Sequence, residues 1–192
     1  MDHLEIPEAI FTGCSIGGYV LLELWRIAPQ RITGLAFVCS KPQPDSELAL
    51  AKRAANIAQI RAEGTAALFD SMALNLTGKT AQSRDLARDL GRNPGMVAEL
   101  RARMTLTADA AIAVQAGLAT RPDSLDTIPT ISAPVLAIAG GEDTAVSPAE
   151  MDAFTSAPGG CEFHLLPDAG HFAAYEQPQK VASLLAEWLR QP

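Results

Sequence analysis

Three short stretches hold the residues best suited to chemistry: Gly13-Cys14-Ser15-Ile16-Gly17-Gly18, Gly140-Gly141-Glu142-Asp143, and Asp168-Ala169-Gly170-His171-Phe172. A serine hydroxyl is a weak nucleophile at neutral pH. It needs an adjacent base, and the base needs an acid that orients it. Ser15, His171 and Asp143 supply those three types. The glycines around Ser15 suit a nucleophile held on a sharp strand-to-helix turn, where strained backbone angles leave little room for neighbouring side chains. Such a turn lifts the hydroxyl above the sheet edge. It also places Ser15 near a helix N-terminus, where free N–H groups face a developing negative charge.

Each stretch also has a plainer explanation. Composition alone gives a G-x-S-x-G in roughly one chain of this length in twenty, given about 7% Gly, so the motif needs its context. An Asp in a Gly-rich loop is most often a turn former or a helix cap, and a lone loop His is most often a surface residue. The joint placement of all three, each at the C-terminal end of a strand, is much harder to attribute to chance. Glu142 and Asp168 are weaker alternatives for the acid. His164 falls within a strand and His3 precedes the first one, so neither suits the base. The Cys14 thiol sits beside Ser15, but its position on the strand faces away from the hydroxyl. It reads as packing or as pocket lining, and Phe172 is a second candidate for that lining.

Strands and helices must bring these residues together. Ala9 to Gly13 is a short apolar run ending in glycine, as in a buried parallel strand. Residues 16–28 read as a helix closed by Pro29, and Ile32 to Ser40 as a second strand. This βαβ unit predicts a right-handed crossover. From Lys41 to about Asp126 alanine dominates and β-branched runs vanish. Asp45 is the expected N-cap of a helix carrying Leu50, Ala54, Ile57 and Ile60, with Gly64 as its stop. Helices over 65–76, about 94–104 and 107–119 complete an all-α insertion of about four helices. Strand texture returns at 134–139, a helix capped by Ser147 covers 148–156, a last strand spans 161–166, and an amphipathic helix covers 179–189. The fold class is α/β, a mostly parallel sheet with helices on both faces. Residues 1–40 and 127–192 form its core and 41–126 a helical cap.

Composition narrows the function classes. With 48% hydrophobic and 19% charged residues, the 192-residue chain is expected to fold as one globular domain. The net charge of −7 and the lack of a basic stripe argue against nucleic-acid binding. Cys14, Cys39 and Cys161 give neither a disulfide framework nor metal-ligand spacing, so no metal or other cofactor is expected and a reducing cytoplasm is the natural compartment. No apolar run approaches a membrane span, and Asp2, Glu5 and Glu8 interrupt any signal-peptide pattern.

The stretches GCSIGGYVLLELWRIAPQRITGLAFVCS, RPDSLDTIPTISAPVLAIAGGEDTAVSP and LPDAGHFAAYEQPQKVASLLAEWL resemble the α/β-hydrolase superfamily, in particular its bacterial esterase, enol-lactonase and cofactor-free haloperoxidase-like branch. The order Ser…Asp…His is the order of that fold. The resemblance implies Ser15 as nucleophile, Asp143 as acid, His171 as base and residues 41–126 as a cap over the site. A serine at the elbow, where haloalkane dehalogenases carry Asp, disfavours dehalogenation. The sequence departs from the family before Ala9: Met1 to Glu8 resembles only the end of the helix preceding the nucleophile strand. The loop that ordinarily supplies a second oxyanion N–H has no counterpart, which leaves the Ile16 N–H. The strand Ala9 to Gly13 is then expected to be a bare apolar edge that invites a homodimer, unless the chain is a fragment.

These features lead to an expected small ester or lactone substrate cleaved through an acyl-enzyme. The rival expectations are a non-catalytic or impaired binding protein of the same fold, and an acyltransferase or perhydrolase using the same three residues.

Overall fold

The computed structural model describes residues 1–87 and 95–190. Strand β1 (Ala9–Cys14) leads into helix α1 (Ile16–Ile27) and strand β2 (Ile32–Val38). Among the described residues five helices follow: α2 (Glu47–Glu63), α3 (Ala66–Leu76), α4 (Lys79–Ala87), α5 (Met96–Arg103) and α6 (Ala108–Ala119). The chain then returns through β3 (Val135–Gly140), α7 (Pro148–Met151), β4 (Cys161–Leu166), α8 (Ala173–Glu176) and α9 (Pro178–Trp188). All four strands are parallel, in the order β1-β2-β3-β4.

Side chains alternate between the two faces of a strand, and the sequence of β2 and β3 uses both faces. Leu35, Phe37, Val135 and Ala137 pack with Leu22 and Trp25 of α1 and with Met151 and Phe154. Ala36, Val38, Leu136 and Ile138 pack on the opposite side with Val181 and Trp188 of α9. Phe37 and Phe154 stack with centroids 4.2 Å apart. This two-sided burial explains why β2 and β3 read as continuous apolar runs. β1 is an edge strand and alternates instead, with Ile10 42% exposed. The helical segment has its own small core of Ile60, Leu68, Phe69 and Ala111.

Several elements differ from the sequence expectation. Ser46, not Asp45, caps α2, its hydroxyl accepting from Ala49 N–H at 3.3 Å. Asp45 is taken by Arg53 and Arg121, whose paired guanidinium groups outweigh a cap bond. Helix α4 has no counterpart in the sequence expectation, because KTAQSRDLA has little apolar periodicity. The expected helix 148–156 is α-helical only to Met151 and continues as a 3-10 turn to Ser156. Residue 94, the expected start of the helix now bounded as α5, lies outside the described residues.

Candidate active site

The site lies along the C-terminal edge of the sheet. Ser15 stands between β1 and α1 with φ 50° and ψ −114°, a conformation L-residues rarely adopt. Its N–H donates to Val38 O at 2.9 Å, which anchors the turn to β2. A Cβ on Gly13 would strike the backbone of Gly17 and Gly18, and one on Gly18 would strike the Ser40 side chain. A Cβ on Gly17 meets nothing within 4 Å. The tight turn therefore depends on Gly13 and Gly18, whereas Gly17 relieves no crowding through its own missing side chain. Ser15 is the N-cap of α1, yet its side chain makes no cap bond.

That hydroxyl is turned to the imidazole instead. Ser15 Oγ lies 2.7 Å from His171 Nε2, and His171 Nδ1 lies 2.8 Å from Asp143 Oδ2. The His171 side chain is 8% exposed and that of Asp143 is fully buried. The other oxygen of Asp143 accepts from Ala145 N–H at 2.7 Å and Val146 N–H at 2.9 Å, so the carboxylate is fixed on both sides. A carboxylate only accepts, so the Nδ1 proton of His171 points at Asp143 and Nε2 is left to accept from the Ser15 hydroxyl. The three groups form a continuous path for moving a proton off the hydroxyl, on a side chain aimed away from its own backbone.

The other candidates fall elsewhere. Glu142 Oε2 and Oε1 accept from Thr80 N–H at 2.8 Å and Thr80 Oγ1 at 2.6 Å. Burial opposes its ionisation, but the Thr80 donors hold its carboxyl below the usual range. Asp168 is exposed. His164 sits within β4 beside Glu162 at 3.5 Å. Cys14, expected as packing or lining, is exposed at the end of the edge strand β1. Phe172 packs edge-on to the His171 ring at 5.9 Å.

A third loop reaches this edge with no local sequence pattern to mark it, the turn between α3 and α4. His171 N–H donates to Leu76 O at 2.8 Å, and Thr144 Oγ1 donates to Asn75 O at 2.9 Å. Glu176, buried, accepts through Oε2 from Gly170 N–H at 2.8 Å and Gly78 N–H at 3.1 Å. Burial pushes the Glu176 carboxyl up, against the pull of those backbone donors. Nothing local in the sequence separates Glu176 from an ordinary surface carboxylate on a short helix.

A cleft of about 500 Å³ opens between α1 and α6, starting at Ile16. Tyr19, Val20, Val114, Gly117 and Leu118 give it mostly apolar walls. Arg121 also borders it, with its guanidinium 4.4 Å from the Tyr19 ring centroid and paired to Asp45. Neither Cys14 nor Phe172 borders this cleft. Among the described residues no group of three His, Cys, Asp or Glu is arranged to hold a metal ion, and no helix is long and apolar enough to cross a membrane.

Comparison with known proteins places this geometry in context. The Alpha/beta hydrolase family model matches residues 1–184. A thermophilic esterase from Thermogutta terrifontis is 30% identical over 98% of this chain and 67% of its own, with a TM-score of 0.85. An enol-lactonase from Burkholderia xenovorans LB400 is 23% identical over 100% of this chain and 69% of its own, with a TM-score of 0.83. A hydrolase from Pseudomonas aeruginosa PA01 is 24% identical over 99% of this chain and 68% of its own, also with a TM-score of 0.83. The chain thus spans about two thirds of the length of these proteins. No curated protein matches it.

Proposed function

This chain belongs to the alpha/beta hydrolase family, and from that premise we propose that it is a serine hydrolase that cleaves a small carboxylic ester or lactone through an acyl-enzyme. The observation that carries the proposal is the unbroken hydrogen-bonded path from Ser15 Oγ through His171 to Asp143. His171 Nε2 takes the Ser15 proton as Oγ attacks the substrate carbonyl. The Ile16 N–H, next to Ser15 at the N-terminus of α1, stabilises the resulting oxyanion. His171 then delivers its proton to the departing alkoxide, and the Ser15 ester remains. Water attacks that ester, its proton passing to His171, and the acid leaves as Ser15 regains its proton. Asp143 holds the imidazole in one tautomer and stabilises it while it is positively charged. One backbone oxyanion donor is worth about 2.7–4 kcal/mol of transition-state stabilisation, so the turnover of this chain depends strongly on Ile16 keeping its place.

The α2–α6 segment acts in this proposal as a cap, and the cleft at Ile16 takes the apolar arm of the substrate. The free edge of β1, on which Ile10 is exposed, is the surface through which two copies pair. The direct test is turnover of p-nitrophenyl acetate. Wild type hydrolyses it and folded Ser15→Ala does not; equal turnover by the two proteins removes Ser15 from the mechanism.

A further inference from the structure

Two carboxylates outside the Ser15–His171–Asp143 path bind the α3–α4 turn to the two loops that carry the base and the acid. Glu176 Oε2 bridges Gly170 N–H, one residue before His171, and Gly78 N–H in the turn. Glu142, one residue before Asp143, takes both the N–H and the hydroxyl of Thr80 from the same turn. Two further bonds close the arrangement, His171 N–H to Leu76 O and Thr144 Oγ1 to Asn75 O. The fit is tight as well as bonded. A Cβ on Gly78 would press on Glu142 Oε2, Gly170 N and Glu176 Oε2, and a Cβ on Gly170 would strike Leu76 O and the backbone of Gly78.

We propose that Glu176 and Glu142 are positioning residues that clamp the 76–80 turn between the His171 and Asp143 loops and thereby hold the imidazole in register with Ser15. The inference rests on the hydrolase mechanism proposed above. Its physical basis is that a loop residue is aimed by its backbone. The imidazole bonds to Ser15 through Nε2 and to Asp143 through Nδ1, so a small rotation of the Gly170–His171 peptide moves both bonds out of reach. Misplacement of a reacting group by about 1 Å can cost a hundredfold in rate. Glu176 resists that rotation because one buried oxygen accepts from both sides of the joint. Its other oxygen, Oε1, is buried and has no hydrogen-bond partner among the described residues, so the acceptor role rests on Oε2. The clamp also means that the helical segment meets the base loop at a fixed hinge and not as a loose flap.

The test uses the full chain with Glu176→Ala and Glu176→Gln. The glutamine keeps an acceptor where Oε2 lies. The expected result is a fall of tenfold or more in kcat for Glu176→Ala with KM little changed, and recovery to within about threefold of wild type in Glu176→Gln. A loss confined to KM, or a loss in Glu176→Ala no larger than its unfolded fraction, overturns the inference. Should Glu176→Ala fail to fold, Thr80→Ala, which removes the hydroxyl bond to Glu142, carries the test. It is expected to lower kcat several-fold at unchanged KM, and wild-type kcat overturns the proposal. Amide hydrogen exchange separates this inference from the hydrolase proposal. In Glu176→Ala the Gly78 and Gly170 amides are both expected to exchange at least tenfold faster, with Ala137 in β3 unchanged, whether or not any ester is turned over. Unchanged exchange at either glycine overturns the clamp.

Discussion

Ser15 Oγ and His171 Nε2 are separated by 156 positions in the chain and by 2.7 Å in space. Their meeting joins a strained serine at the end of β1 to a histidine in the loop after β4, whose backbone N–H donates to Leu76 O of a third chain segment.

Asp143→Asn leaves the shape of the acid side chain but offers His171 the wrong hydrogen-bonding group. An amide that donates toward Nδ1 favours the tautomer with its proton on Nε2, which can no longer accept from Ser15. Turnover should fall on the order of 10⁴-fold while circular dichroism and the melting temperature stay close to wild type. Steady-state kinetics on p-nitrophenyl acetate measure it, and a loss under tenfold contradicts the role given to Asp143.

The α1–α6 cleft predicts a preference for apolar substrates. Burying one methylene contributes about 0.8 kcal/mol, a factor of about four in kcat/KM. Gly117 faces the cleft with open space where a side chain would go, so Gly117→Leu should fill it. The ratio of octanoate to acetate turnover should exceed one in wild type and collapse toward one in the variant. Esters lengthened on the alcohol side, compared in the same way, show which arm of the substrate enters.

Acid should unfold the protein through particular carboxylates. Burial opposes ionisation of Asp45, yet Arg53 and Arg121 hold its carboxyl below the ordinary value of 3.8. Glu150 is likewise lowered from 4.5, by Lys41 and Ser147 against the effect of burial. A carboxyl lowered by folding contributes stability above its unfolded value and loses it as pH falls through the folded one. Glu176, raised by burial, has the opposite sign: its cost is absent at low pH and appears as pH rises through the unfolded value. Denaturant melts between about pH 5 and pH 3 should therefore show falling stability, and Asp45→Asn, weaker at neutral pH, should show a shallower fall. Equal slopes contradict the assignment to Asp45.

The β1 edge predicts association. Light scattering over rising concentration should show a dimer, and Ile10→Lys, a charge on the edge strand, should shift it toward monomer. A monomer at all concentrations in wild type removes this use of the edge.

Much of this architecture was legible in the residues themselves. The continuous apolar runs of β2 and β3 announced strands buried on two faces, and the glycines, Asp143 and His171 stood at strand ends where a parallel sheet collects its loops. The differences have two causes. α4 lacks apolar periodicity, so no local pattern marks it. Asp45 looks like a cap until the side chains of Arg53 and of Arg121, 76 positions away, reach it. Glu142 reads as a possible acid from its neighbourhood in sequence, whereas its partner Thr80 is 62 positions away. Glu176 likewise binds Gly78 across 98 positions. Local pattern reveals what a residue does to its own segment; bonds between distant segments emerge only once the sheet has assembled them.

The most direct measurement is covalent labelling of the folded protein by a fluorophosphonate, read by intact and peptide mass spectrometry. An activated serine should gain one adduct, mapped to Ser15, that disappears in Ser15→Ala and forms far more slowly in His171→Ala. A folded wild-type protein that gains no adduct at Ser15, or one labelled equally fast without His171, contradicts the hydroxyl–imidazole pairing on which the account rests.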